Sequence, residues 1–241
     1  MNQKAYVLGI KFMQNTIVER YQKIQEEVIS KMVSSGRDPQ DVNLIVVSKN
    51  QPITVMQDVY QSGCRQFGEN RVMEALAKIP EMPRDIQWHL IGTLQSNKVA
   101  KILNSSISLI HSVHSFSLAK KISEGSLQKQ KITSILLQVN VSKEESKQGL
   151  THDEWEKLLA PLQELSNLRI EGLMTIAPHT ADLGYVRFCF RQLFELREKW
   201  KKQMNNPTYF KHLSMGMTND YLIAIEEGAT LLRIGSGIFG H

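Results

Sequence analysis

The sequence predicts an α/β fold: a (β/α)8 barrel of the TIM type, with an N-terminal helix completing its helical ring. Three observations carry this. Eight short apolar runs alternate with helical stretches along 241 residues. The connections between them are short. After the eighth run only "SGIFGH" remains. Strand–helix alternation with short connections calls for parallel pairing through helical crossovers, and eight such units favour closure over an open doubly wound sheet. A regular barrel needs a helix after its eighth strand, and the helix before strand one is the natural element for that gap.

The elements follow in order. Residues 12–35 have an amphipathic pattern, with Ile17, Tyr21, Ile24, Val28 and Met32 three or four apart. Gly36 closes this helix and Pro39 follows. Strand one is 44–48. Thr54 is placed to cap a helix over 55–62 that Gly63 ends. Strands two to five are 65–68, 86–91, 108–113 and 133–141. Thr151 with Glu154 forms a capping box for a helix over 152–165. Strand six is 168–176, followed by helical periodicity over 185–203 and strand seven at 209–214. Thr218 is placed to cap a helix over 219–227 ended by Gly228, before strand eight at 230–235. No linker, repeat or low-complexity segment interrupts the chain, so one domain is expected over 1–241.

Composition narrows the function. Hydrophobic residues make up 41% and charged residues 22%, which supports a large core and argues against disorder. The net charge of +5 is scattered, apart from Arg197, Lys199, Lys201 and Lys202 within a helical pattern. That is the look of a solvated helix face rather than a nucleic-acid footprint. Cys64 and Cys189 lie far apart and outside any CxxC, so neither a disulfide framework nor a zinc site is expected. His111, His114, His152, His179 and His212 lack metal-ligand spacing. The N-terminal "MNQKAYVLGIKFMQN" has no apolar run suited to a signal peptide, and no stretch approaches the ~18 apolar residues of a membrane span. A soluble cytoplasmic monomer without nucleic-acid or membrane partners is the expectation.

Chemistry in such barrels sits at the C-terminal ends of the strands. Strand one, "LIVVSKNQP", delivers Ser48 and Lys49. Lysine is costly to bury unless it is paired or does chemistry. A partly desolvated lysine is a nucleophile that forms Schiff bases with carbonyls. The competing reading has Lys49 snorkel from the mouth or pair with a carboxylate such as Glu69. The glycines of "RIGSGIFG" (233–240) and "LSMGM" (213–217), at the ends of strands eight and seven, suit the usual phosphate site of this barrel. A Schiff-base lysine beside a phosphate cradle suggests a phosphorylated aldehyde. Pyridoxal 5′-phosphate is the obvious one, and periodicity alone does not separate it from the substrate of a sugar-phosphate aldolase. Trp88 and His89 read as strand packing rather than catalysis. Met174, Met215 and Met217 read as core or pocket lining.

The ordered series "VSKNQP", "FGEN", "WHLIGTLQSNK", "QVNVSKEESKQG", "GLMTI", "LSMGMTND" and "AIEEGATLLRIGSGIFG" resembles the YggS/PROSC-type pyridoxal phosphate homeostasis proteins, from about residue 12 to the C-terminus. That family is similar to the N-terminal barrel of alanine racemase and lacks the enzyme's second domain with its tyrosine base. The resemblance implies that Lys49 holds the cofactor as a Schiff base. It implies that Ser214, Gly235 and Ser236 bind the phosphate, with backbone N–H groups near Met215 and Gly216. Arg233 is implied near the pyridine nitrogen and Asn70 near the ring. His89, Asn140, Lys147 and Met174 match positions around the pocket. The implied function is binding, buffering and delivery of the cofactor to apo-enzymes. The alternative is a weak pyridoxal-phosphate-dependent amino-acid racemase or lyase. The chain departs from the family pattern at Asn50 and Gln51, Arg71, His114, and Ser236–Gly237.

Overall fold

The computed structural model describes residues 3–142, 144 and 148–240, with the side chains of 3–15 outside that description. The chain runs α1 (Gln3–Ser34), β1 (Asn43–Val47), α2 (Ile53–Gln61), β2 (Gln66–Glu69), α3 (Val72–Lys78) and β3 (Gln87–Leu90). It continues through α4 (Val99–Leu103), β4 (Ile107–Val113), α5 (Phe116–Gln128), β5 (Thr133–Gln138), α6 (His152–Glu156) and α7 (Leu159–Gln163). It ends with β6 (Leu168–Met174), α8 (Leu183–Lys201), β7 (His212–Ser214), α9 (Tyr221–Glu226), β8 (Leu231–Ile234) and α10 (Ser236–Phe239). The eight strands pair in sequence order, all parallel, and β8 returns to β1 to close the barrel. Across that seam Ile45 stands opposite Arg233 and Val46 opposite Ile234.

Strand parity divides the buried residues into two layers, because successive side chains turn to opposite faces. Val46, Phe67, Trp88, Leu90, Ile110, Leu137, Leu173 and Leu232 face outward into one large core with buried helix residues such as Met56, Ile122, Trp155, Phe190 and Trp200. Ile45, Leu109, Leu136, Met174 and Leu231 form a separate, smaller apolar cluster in the bore. Much of the rest of the bore is polar. Trp88, at 1% exposure, meets the expectation of strand packing.

The helix before β1 fills the gap left after β8. α1 packs on α10, α9 and α2 and buries Ile17, Tyr21, Ile24, Val28 and Met32, as its periodicity predicts. It begins nearer the N-terminus than residue 12. It ends with Gly36 at φ 68° and the Arg37 N–H donating to the Met32 carbonyl at 2.9 Å, a left-handed cap.

Three local expectations are corrected. α2 starts at Ile53 after Pro52, whose φ of −71° already suits a helix entry, so Thr54 is not its cap. The Thr151–Glu154 capping box forms, but the helix expected over 152–165 splits into α6 and α7. Pro161 has no N–H for an uninterrupted helix and is accommodated in the first turn of α7. α9 begins after Asp220, which frees Thr218 for other contacts. Caps at Ser115 and Asp182, accepting from the N–H groups of Leu118 and Tyr185, were not read from the sequence. Among the described residues no helix is long and apolar enough to cross a membrane.

Met32 is fully buried where α1 meets the barrel layer. Met32→Ala is expected to lower unfolding stability by about 2–5 kcal/mol, read as a shift of the urea midpoint with unchanged slope.

Candidate functional site

A cleft of about 1300 Å³ opens at the C-terminal ends of the strands. Of the residues singled out in the sequence, Lys49, Asn70, Arg233, Gly235 and Ser236 line it, together with Asn140 and Met174. Ser214, Met215 and Gly216 do not: they are buried behind its wall. Lys147 lies outside the described residues. His89 is buried in the bore, away from the cleft.

Lys49 is the first residue beyond β1 with inward parity. It is exposed in the cleft, not partly desolvated as its position suggested, and its amine makes no hydrogen bond or ion pair among the described residues. The pairing with Glu69 that offered a bland account of this lysine is not made. Glu69 points outward from β2, is fully buried, and accepts from Lys78 Nζ at 2.8 Å and Ser48 Oγ at 2.7 Å. A buried second lysine takes the carboxylate and leaves Lys49 unengaged.

Arg233 enters the cleft from β8, the strand paired with β1 across the barrel seam. The residue is 4% exposed, and its guanidinium donates from Nη1 to Ser214 Oγ at 2.5 Å and from Nη2 to the Thr175 carbonyl at 2.9 Å. Burial lowers its pKa to about 10, with nearby Asp220 opposing, so it stays charged at neutral pH. Behind it a polar chain crosses the bore. Ser214 Oγ lies 2.8 Å from His111 Nδ1, His111 Nε2 lies 2.9 Å from His89 Nδ1, and His89 Nε2 lies 2.6 Å from Gln66 Oε1.

The direction of this chain follows from donor and acceptor types. Gln66 gives its amide nitrogen to Gln87 and presents its carbonyl oxygen to His89. A neutral His89 therefore carries its proton on Nε2 and accepts at Nδ1 from His111 Nε2–H. His111 then accepts at Nδ1 from the Ser214 hydroxyl, whose oxygen in turn accepts from Arg233. Burial enforces the neutrality: it pushes His89 down to about 3 and His111 well below its ordinary value. Ser214 thus spends its hydroxyl on His111 and holds Arg233 in place.

On the loops after β7 and β8, Thr218 and Ser236 bring two hydroxyls together at the cleft. Thr218 Oγ1 accepts from the Gly237 N–H at 3.2 Å and lies 3.1 Å from Ser236 Oγ. With Ser236 also donating, the Thr218 hydroxyl hydrogen is left for the cleft, which both side chains line. Two glycines make the arrangement possible. Gly216 turns the chain at φ 93°, where an added Cβ would lie 2.6 Å from the Ala224 Cβ. At Gly235 a Cβ would lie 3.1 Å from the Val47 carbonyl across the barrel seam. The sequence offers Thr218 only as a helix cap, because its partners Ser236 and Gly237 come from the loop after β8. Lys78 and the inward pair His89–His111 gave no motif, because their partners come from other strands.

The site therefore combines an amine with no partner among the described residues, a fixed guanidinium and paired hydroxyls. That donor set fits a phosphorylated carbonyl compound: the amine can take the carbonyl, and the hydroxyls an anionic group.

The fold and site define a protein of the alanine racemase N-terminal barrel class, and the model for "Alanine racemase, N-terminal domain" matches residues 31–241. An alanine racemase from Clostridium difficile 630, in complex with cycloserine, shares the fold at TM-score 0.73 and 12% identity, over 90% of this chain and 59% of that one. Nearer relatives sharpen the class. The pyridoxal phosphate homeostasis protein of Aquifex aeolicus (strain VF5) is 38% identical over 224 residues, 92% of this chain and 97% of the relative. The structure of PipY from Synechococcus elongatus PCC7942 with PLP bound superposes at TM-score 0.77 and 34% identity, covering 88% of this chain and all of that one (100%). The chain belongs to the pyridoxal phosphate homeostasis protein family.

The bore histidines have a consequence for acid stability. An unfolded histidine binds a proton below about pH 6.5. In the fold His89 stays neutral to about pH 3, and burial holds His212 down to about 4. Their contribution is fully present above pH 6.5 and is lost as the pH falls from there towards the folded values, by up to ~1.4 kcal/mol per pH unit for each histidine. Urea midpoints measured between pH 7 and 4.5 should therefore fall with pH, and less steeply in His111→Gln. Nitrogen NMR of the wild type should show His89 and His111 protonated on Nε2 alone.

Proposed function

We propose that this protein holds pyridoxal 5′-phosphate on Lys49 as a Schiff base, buffers it, and delivers it to apo-enzymes. The observation that carries the reading is the Lys49 amine, which has no partner among the described residues and shares its cleft with Arg233 and the hydroxyls of Thr218 and Ser236. The curated relatives named pyridoxal phosphate homeostasis protein and the PLP-bound PipY structure support it. Lys49 would hold the cofactor through its aldehyde carbon, a C=N bond taking the place of C=O with loss of water. Thr218 and Ser236 receive the phosphate, with Gly235 between the strand and that loop. Asn70, half-buried just beyond β2, lines the cleft and would face the cofactor ring.

Arg233 decides what the bound cofactor does. Pyridoxal phosphate supplies an electron sink when its ring nitrogen is protonated. A guanidinium held by Ser214 and Thr175 remains a donor and takes up no proton. The sink stays weak, which suits storage of the cofactor over turnover of amino acids.

Visible absorption of the protein mixed with pyridoxal phosphate tests the attachment. Wild type should show a Schiff-base band that Lys49→Ala loses. A band kept in Lys49→Ala, or absent from both, would refute it. Delivery is tested by adding loaded protein to an apo-form of a pyridoxal-phosphate enzyme. Activity should recover while a trap for free cofactor is present, and recovery abolished by the trap would rule out direct transfer.

A further inference from the structure

Beyond β1 the chain runs Ser48–Lys49–Asn50, with Asn50 in the left-handed region at φ 61°. Both peptide groups that flank the Lys49 Cα are tied to side chains of α3. The Ser48 carbonyl accepts from Lys78 Nζ at 2.7 Å, and the Asn50 N–H donates to Glu74 Oε1 at 2.5 Å. Lys78 joins the two ends of the clamp, since it also donates to Glu74 Oε1 at 2.6 Å and to Glu69 Oε1 at 2.8 Å. Ser48 Oγ donates to the same Glu69 oxygen at 2.7 Å. The Lys78 side chain is 9% exposed and Glu69 fully buried, so the cluster lies between barrel and helix, outside the bore.

We propose that Glu74 and Lys78 are positioning residues for Lys49, fixing the backbone on both sides of it so that its amine is presented to the cleft. The proposal rests on the reading of Lys49 as the cofactor lysine. Three features separate it from an ordinary stabilising ion cluster. Burying an ammonium with two carboxylates is an inefficient way to stabilise a fold, and apolar side chains of similar volume commonly do as well. Glu69 Oε2 is buried with no hydrogen-bond partner among the described residues, a cost that stability alone does not explain. The backbone groups engaged belong to one three-residue loop, and they are the two that set the φ and ψ of Lys49. With those angles held, the only freedom left to the reactive side chain is its own rotamers, which lowers the ordering cost of bond formation.

The pattern Glu69, Glu74, Lys78 spans β2 and α3 at spacings of five and four. The (i, i+4) pair of Glu74 and Lys78 reads from sequence as a solvated helix pair. The structure turns Lys78 inward instead, and Glu74 bridges it to the loop.

Glu74→Ala and Glu74→Gln, made in the full chain, test the proposal, because Glu74 is half-buried at the edge and its loss leaves the core intact. The first measurement uses cofactor-free protein: hydrogen exchange at the Asn50 amide. Exchange should accelerate about tenfold or more in Glu74→Ala, and stay near wild type in Glu74→Gln, which keeps an acceptor. The second measurement titrates pyridoxal phosphate into each variant and into Lys49→Ala. Glu74→Ala should bind roughly tenfold more weakly, the scale expected for one lost charge-assisted hydrogen bond to the loop, with Glu74→Gln restoring most of the affinity. Unchanged Asn50 exchange in Glu74→Ala would overturn the clamp. Faster exchange with unchanged affinity would overturn its role in positioning. Failure of wild type to show a Lys49-dependent band would instead defeat the cofactor reading, while the exchange measurement still decides the clamp. Lys78→Met gives a further check, with loss of both protection and affinity expected if it folds.

Discussion

The seam between β8 and β1 is the constraint on which the rest depends. Parallel pairing across it sets Arg233 beside Ile45. It thereby brings the loops that leave these two strands to one mouth, Lys49 from β1 and Ser236 from β8. More than 180 residues separate Lys49 from Arg233 in the chain (233 − 49 = 184). Closure converts that separation into adjacency without any local signal, since backbone hydrogen bonds between strands are indifferent to sequence distance. α1 protects the arrangement by covering the ring beside α9 and α10, where a regular barrel would carry its last full helix.

The bore is built against the usual rule for this architecture. Barrel interiors are generally filled by branched aliphatic side chains. Here Gln66, His89, His111, Ser214 and Arg233 form one connected polar path alongside the small apolar cluster of Ile45, Leu109, Leu136, Met174 and Leu231. Such a path is tolerable because every member donates or accepts in turn, leaving no polar end stranded in the low-dielectric interior. Its effect is felt at the cleft, where Arg233 has a fixed orientation and a permanent charge. On the outer face of the same barrel, a second buried polar group organises the loop after β1. One barrel wall thus separates two networks, the inner one holding the arginine and the outer one holding the backbone of the lysine.

What was legible in the sequence follows from local physics. Eight strands alternating with helices, the apolar stripe of α1, the left-handed turn at Gly36 and the Thr151–Glu154 box are all written in short-range patterns. So was Lys49, because a charged residue at the end of an apolar run is conspicuous in one dimension. The errors were of the same local kind. Thr54 and Thr218 look like caps because hydroxyls near helix starts usually serve there, yet Pro52 and Asp220 precede those helices. The helix over 152–165 was drawn through Pro161 as though its missing N–H carried no consequence.

By itself, then, the sequence determined the strand and helix order, the barrel class and the place of Lys49 at the mouth of the barrel. These depend on periodicity and on residues close in the chain. The partners were decided only by the tertiary structure. Glu69 belongs to Lys78 and not to Lys49. Ser214 faces His111 and Arg233, while Thr218 joins Ser236 at the cleft. Side-chain pairing depends on strand parity and on register across neighbouring strands. A one-residue difference in either turns a group from the bore to the outer layer, and no linear spacing records which face it meets.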